Sequence, residues 1–284
     1  MRTSAMTGNS ANGEGGQYSP PAAGFAVVGT DEIAWPRAQA IAERLLLPLQ
    51  DARAREWREL ACGGVLLVGA EGLSLGLTGK GSPTPVSVDF CSGALLHRLR
   101  GIGPRREDLA RAVGLPAPRP LCVVDATAGW GRDSAVLAAL GCEVTMIERH
   151  PVVAELLADG LARAGLSTEP AVTKFLPRLR LVHADAALWL LANRDPAPDV
   201  VLLDPMFPHR NSSAAVRKEM VLFQHLVGDD TDAAQLLEAA LGVVRHRVVV
   251  KRPTGAPPLP GRSVDLSIDG RSTRFDVYAL RRIV

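Results

Sequence analysis

From Leu121 onward, short apolar runs alternate with amphipathic segments, and this alternation restricts the fold more than any other feature. The runs "LCVVDA", "CEVTMIE", "RLRLVHAD", "DVVLLD" and "HRVVVKR" alternate with helical segments such as "RDSAVLAAL", "PVVAELLADGLARA" and "AALWLLANR". Strands that are apolar almost throughout are typical of a parallel sheet covered on both faces. Near the end, "VDLSIDGRSTRFDVYAL" predicts two strands joined at Asp269 and Gly270. We therefore predict a Rossmann-like α/β fold, with a doubly wound, mostly parallel sheet that ends in an antiparallel hairpin.

The first part of the chain has a different pattern. Residues 1–24 are rich in Gly, Ser, Asn and Pro without apolar periodicity, which predicts a disordered N-terminal extension. In residues 25–100, the helical segment "PRAQAIAERLLLPL" precedes "GGVLLVGAEGLSLGL", whose two apolar runs predict a hairpin packed beside the helix. We interpret residues 25–100 as a small N-terminal α+β subdomain and residues 101–284 as the main domain.

The composition limits the class of protein. The 32 Lys and Arg nearly balance the 30 Asp and Glu, so any nucleic-acid contact must come from local clusters. The four cysteines have no CxxC or Cys/His spacing, and we predict neither a metal site nor a disulfide framework. No apolar run approaches the roughly 20 residues of a membrane span, and the N-terminus lacks a signal-peptide pattern. We expect a cytoplasmic protein.

The segment "DATAGWGRD", residues 125–133, follows the first strand of the main domain and opens its first helix. Ligands of a parallel sheet collect at the carboxyl ends of the strands, where Gly129 and Gly131 would allow a close backbone approach. A tight turn without a ligand is the alternative. Glu148 ends the next strand and is placed to accept hydrogen bonds from ribose hydroxyls, although a solvated carboxylate is again the alternative.

The charges near this loop favour one class of nucleoside ligand. A dinucleotide would prefer a third glycine to seat its pyrophosphate, but residues 132–134 contain none. Asp125 and Asp133 disfavour phosphate and suit a ligand that carries an ammonium and a sulfonium. Asp185, at the end of the third strand, falls where an adenine ring would lie. The pattern predicts S-adenosylmethionine as the cofactor, rather than a nicotinamide dinucleotide.

The stretch "LDPMFPHR" ends the fourth strand and carries the candidate chemistry. Methyl transfer to an exocyclic amine is difficult because the nitrogen lone pair is delocalised into the ring. The Asp204 carboxylate and the Pro205 carbonyl could accept the two N–H groups and stabilise the developing positive charge, while Phe207 stacks on the base. A strand-end acid followed by a proline turn is the alternative interpretation.

Several motifs carry a resemblance to known families. "DPMFP" resembles the Asp-Pro-Pro-aromatic signature of amino-directed nucleic-acid methyltransferases, with Met206 in place of the second proline. Between about Val88 and Tyr278, "VDFCSGALLHR", "DATAGWGRD", "IERHPVVAELLADGLARA", "LDPMFPHR", "KEMVLFQHLVG", "RVVVKRP" and "RFDVYA" together resemble the RsmJ family of bacterial small-subunit ribosomal RNA guanine-N2 methyltransferases. The resemblance implies that residues 101–284 are a class I methyltransferase domain dependent on S-adenosylmethionine. It also implies a substrate, 16S ribosomal RNA or the 30S subunit.

The same resemblance implies a set of residues that contact the methyl donor. They are Arg132, Asp133, Glu148, Arg149, Asp185, Ala186 and Asp204. The family often has Ser-Ser at the positions of Asp185 and Ala186, so the side-chain roles differ there. Asp204 would lie between the donor and the amine.

Two groups of basic residues could bind RNA phosphates. The first comprises His97, Arg98, Arg100, Arg105 and Arg106, and the second comprises His209, Arg210, Arg217 and Lys218. Lys251 and Arg252 could extend them. A solvated face is the alternative for the first group. The second lies beside the candidate catalytic loop, where RNA would present an exposed or flipped base.

Three other functions share parts of this pattern. An amino-methyltransferase acting on adenine or cytosine is one, because the Asp-Pro motif recognises an amine and not a particular ring. A nicotinamide-dependent reductase would need a third glycine and a Tyr/Lys pair, and the two tyrosines, Tyr18 and Tyr278, are not suitably placed. A non-catalytic RNA-binding module is the third.

Overall fold

The structure is a computed structural model that describes residues 24–51, 57–205, 226 and 232–283. This part of the chain forms a four-stranded sheet on the N-terminal side and a seven-stranded sheet after it. In the same residues, no helix is both long enough and apolar enough to cross a membrane. The candidate loop after Pro205, including Phe207 and the second basic group, lies outside the described residues.

The elements that precede the large sheet form a mixed small sheet and three helices. In chain order they are β1 (Phe25–Gly29), α1 (Trp35–Leu45), β2 (Leu49–Asp51), β3 (Gly64–Gly69), β4 (Gly72–Leu77), α2 (Gly93–Arg100) and α3 (Asp108–Val113). The sheet order is β2-β1-β3-β4, with β1 parallel to β2 and β3, and with β3 and β4 as the predicted antiparallel hairpin. The predicted helix is shorter than expected, because Leu46 is left-handed with φ of 54° and Pro48 disfavours helical backbone at Leu47.

The large sheet contains the predicted alternation. Its elements are β5 (Cys122–Asp125), α4 (Arg132–Ala139), β6 (Glu143–Glu148), α5 (Pro151–Ala164), α6 (Pro170–Phe175), β7 (Leu179–His183), α7 (Ala186–Ala192), β8 (Val200–Leu203), α8 (Ala233–Val243), β9 (Arg247–Pro253), β10 (Leu266–Asp269) and β11 (Thr273–Ala279). The order is β10-β11-β9-β8-β5-β6-β7, in which β5 to β9 are parallel and β11 is antiparallel to both of its neighbours. The doubly wound sheet with a terminal hairpin is confirmed. The short helix α6 has no counterpart in the prediction.

Alternate residues of the central strands enter two hydrophobic cores on opposite faces of the large sheet. Val123 and Leu202 pack on one side, with α4 and α5, while Val124 and Val201 pack on the other, with α7 and α8. All four are at most 5% exposed. Burial of each such side chain contributes roughly 1.5–3 kcal/mol. Burial on both faces is why these strands are almost uninterrupted apolar runs.

Asp159 of α5 links the small sheet to the large one. Its carboxylate is 2% exposed and accepts hydrogen bonds from Arg37 of α1 at 2.6 Å, from Arg163 at 2.8 Å and from the Leu73 N–H of β4 at 3.0 Å. Burial, the strongest single influence, raises the pKa of Asp159, but these three donors together hold it below its ordinary value. The first core also continues from the small sheet into the large one. We propose that the boundary between the small N-terminal subdomain and the main domain lies near residue 100.

We expect Asp159→Asn to destabilise the protein by about 2–3 kcal/mol, because it removes a buried, charge-assisted hydrogen-bond centre. The matched control is Glu155→Gln on the same helix, since Glu155 binds Arg44 at 2.6 Å in an exposed pair. That change should cost less than about 1 kcal/mol. Urea unfolding at neutral pH measures both. Equal losses in the two variants would contradict the role of Asp159 as the link between the sheets.

Candidate active site

Four acidic residues lie at the carboxyl edge of the large sheet. Asp125 is the last residue of β5 and Glu148 is the last residue of β6, while Asp185 follows β7 and Asp204 follows β8. The strand order changes direction between β5 and β8, and a parallel sheet opens a ligand-binding crevice at such a point. The structure thus brings together all four of the strand-end acids that the sequence singles out.

The loop between β5 and α4 depends on two glycines. Gly129 has φ of 51° and Gly131 has φ of 69°, a left-handed conformation that residues with a side chain disfavour. A Cβ atom on Gly131 would lie 2.9 Å from Leu157 Cδ1 and 3.1 Å from Phe90 Cζ, so packing also requires a glycine there. The two glycines are therefore required for the backbone path of this loop.

Glu148 holds this loop against the end of β6. One carboxylate oxygen accepts a hydrogen bond from the Gly129 N–H at 3.0 Å, and the other accepts from the His150 N–H at 2.7 Å. The residue is 6% exposed. Each carboxylate oxygen has a second lone pair, so Glu148 can position the loop and also accept a hydrogen bond from a ligand.

Asp125 lies beneath the same loop. It is 3% exposed and accepts hydrogen bonds from Ser134 Oγ at 2.6 Å and from the Thr127 N–H at 3.3 Å. Burial raises the pKa of Asp125 to about 7, and the nearby Asp133 and Asp204 add to the increase while the hydrogen bond from Ser134 opposes it. The carboxyl group therefore ties the first turn of α4 to β5, a contact that the sequence does not reveal.

Lys251 joins the segment of residues 125–133, hereafter the donor loop, to the candidate catalytic acid Asp204. Its ammonium lies 2.7 Å from Asp133 Oδ2 and 2.6 Å from Asp204 Oδ2. The cation is thus engaged by two carboxylates inside the site, which argues against the suggestion that Lys251 extends a phosphate-binding group. The strand pairing contains the missing signal. Val250 on β9 is in register with Leu203, the last residue of β8, so the residues that follow these two, Lys251 and Asp204, lie side by side.

Asp204 is also attached to the glycine loop through its backbone. Its N–H donates a hydrogen bond to Thr127 Oγ1 at 2.6 Å, and its side chain is 41% exposed. Pro205 is buried. The predicted amine clamp consists of the Asp204 carboxylate and the Pro205 carbonyl. Both residues therefore lie at the edge of the sheet, beside the donor loop. Phe207, the third member of the predicted catalytic group, lies outside the described residues.

The other predicted donor residues have separate local roles. Asp185 is exposed and caps α7 by accepting from the Leu188 N–H at 2.9 Å, while Ala186 is buried in the second core. Arg149 pairs with Asp232 at 2.6 Å. Arg132 is exposed at the start of α4.

The first basic group is only partly available to a ligand. Arg98 donates two hydrogen bonds to Glu107, at 3.1 and 2.5 Å, and lies 3.8 Å from Asp133. Arg100 binds Glu169, whereas His97, Arg105 and Arg106 are exposed. Arg252 cannot extend this group, because it is 4% exposed and donates to the Pro257 carbonyl. His209, Arg210, Arg217 and Lys218 lie outside the described residues.

The pKa of Asp125 leads to a pH-dependent stability. Between about pH 4 and pH 7 the folded state holds a proton on Asp125 that the unfolded chain has lost, so this contribution to stability declines as the pH rises. We expect Asp125→Asn to remove a decline on the order of 1–3 kcal/mol between pH 5 and pH 8. Urea unfolding at the two pH values measures it. The control is Asp185→Asn, which changes an exposed helix cap and should keep the wild-type pH dependence of stability. If Asp125→Asn also keeps this pH dependence, the raised pKa of Asp125 is contradicted.

Comparison with known proteins shows which family this chain resembles. Residues 55–280 match the family described as "Putative SAM-dependent methyltransferase". The chain is 52% identical over 243 residues to ribosomal RNA small subunit methyltransferase J of Thioalkalivibrio sulfidiphilus, an alignment that covers 85% of this chain and 92% of the relative. It is 51% identical over 238 residues to the protein of the same name from Pseudomonas paraeruginosa, covering 84% and 87% of the two chains.

A crystal structure supports the same grouping. The SAM-dependent methyltransferase of Neisseria gonorrhoeae superposes with a TM-score of 0.66 at 35% identity, covering 90% of this chain and 95% of the other. The acids around a glycine loop in the present structure also fit a cationic nucleoside donor. The chain therefore belongs to the SAM-dependent methyltransferase family that includes ribosomal RNA small subunit methyltransferase J, with S-adenosylmethionine as its cofactor.

Proposed function

We propose that this protein methylates the exocyclic N2 amine of a specific guanine in 16S ribosomal RNA. The observation that carries the proposal is the position of Asp204, which is followed by Pro205 and lies beside the donor loop at the change in strand order. A half-exposed carboxylate in that place can receive a substrate amine. The names of the related proteins support small-subunit ribosomal RNA as the substrate, and the resemblance to the RsmJ family supports guanine N2.

The chemistry needs an amine held in the correct orientation. When bound, S-adenosylmethionine supplies an electrophilic methyl group on a sulfonium. The Asp204 carboxylate and the Pro205 carbonyl accept the two N–H groups of the amine, which directs the nitrogen lone pair to the methyl carbon. As the N–C bond forms, the bond between the methyl carbon and sulfur breaks, its electron pair stays on sulfur as a neutral thioether, and the positive charge that develops on nitrogen is stabilised by the carboxylate. The methylated amine then loses its extra proton to water.

The remaining strand-end residues would hold the donor. Glu148 would accept hydrogen bonds from the ribose hydroxyls, Asp185 would lie near the adenine, and Gly129 and Gly131 would allow the donor to contact the backbone. The acidic surroundings favour a donor that carries two positive charges on its amino acid portion, an ammonium and a sulfonium.

Nothing in the amine clamp distinguishes one guanine from another, so selection must come from the shape of the RNA. Phosphate contacts would come from exposed Arg105, together with part of the Arg98 guanidinium. The second group, His209, Arg210, Arg217 and Lys218, is proposed for the same role from its sequence alone. A ribosomal RNA substrate would place the enzyme in the bacterial cytoplasm.

The decisive experiment identifies the modified nucleoside. Ribosomal RNA and 30S subunits from a strain lacking the enzyme should gain N2-methylguanosine when incubated with enzyme and radiolabelled donor, while free guanosine should gain none. Asp204→Asn should lower kcat by roughly 10²- to 10³-fold, because the amide has the same shape but no negative charge. Label recovered on adenine or cytosine would show that the enzyme methylates another base, and it would contradict the assignment to guanine N2. Wild-type kcat in Asp204→Asn would contradict the clamp.

Donor binding tests the assignment of Glu148 separately. Glu148→Gln should raise the dissociation constant of S-adenosylmethionine by roughly ten- to a hundredfold, since it weakens the acceptor for the ribose hydroxyls and loosens the Gly129 contact. Calorimetric titration measures this without RNA. Glu143→Gln is the control, because Glu143 is exposed at the opposite end of the same strand. Equal donor affinity in both variants would contradict the ribose assignment.

A further inference from the structure

Lys251 lies between the donor loop and Asp204, and the proposed reaction gives it no role. It lies on β9, its side chain is 28% exposed, and its ammonium contacts Asp133 on α4 and Asp204 after β8. Burial lowers the pKa of Lys251, but the two carboxylates outweigh burial and raise the pKa above its ordinary value. The same contact, after opposition from burial, holds the pKa of Asp133 below its ordinary value. The side chain is therefore a permanent cation between the donor side and the acceptor side of the site.

The charges around Asp204 explain why a cation is needed there. Asp125 on β5 and Asp133 on α4 are close enough to interact with one another electrostatically, and Asp125 also interacts with Asp204. The other charged groups on this side are Arg132 at the start of α4, and Arg98 on α2 with its partner Glu107. Lys251 forms a direct ion pair with the Asp204 carboxylate at 2.6 Å.

We propose that Lys251 is a positioning residue that keeps Asp204 ionised and correctly oriented, so that Asp204 serves as a hydrogen-bond acceptor for the amine and not as a base. The proposal rests on the proposed function, in which Asp204 faces the substrate amine. A carboxylate that already accepts a hydrogen bond from an ammonium has little affinity for a further proton. The second bond of Lys251, to Asp133, fixes the distance between the acceptor carboxylate and the first turn of α4.

Kinetics of Lys251 variants test this role. Lys251→Met should lower kcat on the order of 10²-fold near neutral pH. Its activity should also decline with falling pH in a range where the wild type is unaffected, because protonation of Asp204 becomes easier beside two other carboxyls. Lys251→Arg keeps the charge and should recover most of kcat and the wild-type pH profile. Arg245→Met is the matched control: it removes a cation that pairs with Asp199 at 3.3 Å near the opposite end of β9, and it should change neither quantity.

A direct titration of Asp204 is independent of the RNA substrate. In protein labelled with 13C at the aspartate carboxyl carbons, the resonance absent from Asp204→Asn identifies Asp204. Its titration midpoint should move to higher pH in Lys251→Met, and in Lys251→Gln if the methionine variant does not fold, but not in Arg245→Met. An unchanged midpoint, or a pH profile in Lys251→Arg that matches Lys251→Met, would overturn the proposal. A wild-type enzyme that forms no N2-methylguanosine would contradict the proposed function instead, and the Asp204 titration would still decide the role of Lys251.

Discussion

Mutual repulsion among carboxyl groups is the constraint on which this structure depends. A sheet that ends several adjacent strands in acids gathers negative charge at one edge, and the charge must be relieved for the edge to stay ordered. Each acid is relieved differently: Asp125 by burial that favours its neutral form, Glu148 by two backbone N–H groups, and Asp133 and Asp204 by a shared ammonium. The result is a crevice that is acidic but locally compensated, an environment suited to a cationic ligand.

The small sheet is part of the same arrangement and not an appendage. Helix α5 begins three residues after Glu148 and carries Asp159, which binds α1 and β4 of the small sheet. Gly160 on the same helix packs so closely on Val88 that a Cβ would lie 2.6 Å from Val88 Cγ1. The small sheet thereby supports the helix that leads away from Glu148.

Local pattern was sufficient to predict most of the fold. Apolar runs and glycine stops predict the strands and helices of the large sheet because burial on both faces and helix termination are properties of short segments. The strand-end acids could be placed at one edge for the same reason. The partner of each acid could not be predicted, because Lys251 is 47 residues from Asp204 in sequence, and because the register of β8 and β9 decides the contact. The accessibility of a basic residue such as Arg252 is likewise not predictable from local pattern, because its burial is set by the tertiary structure.

The hydrogen bond from the Asp204 N–H to Thr127 Oγ1 connects the loop after β5 to the end of β8, two places for which different substrates are proposed. Thr127 belongs to the segment that would surround the donor, and Asp204 begins the segment that would receive the amine. A ligand that fixes the position of Thr127 also fixes the Asp204 backbone through this contact, so the cost of positioning the site for the second ligand is reduced. Donor and RNA would then favour each other's binding without any change in the shape of the sheet. By reciprocity, the RNA would strengthen donor binding by the same factor that the donor strengthens RNA binding.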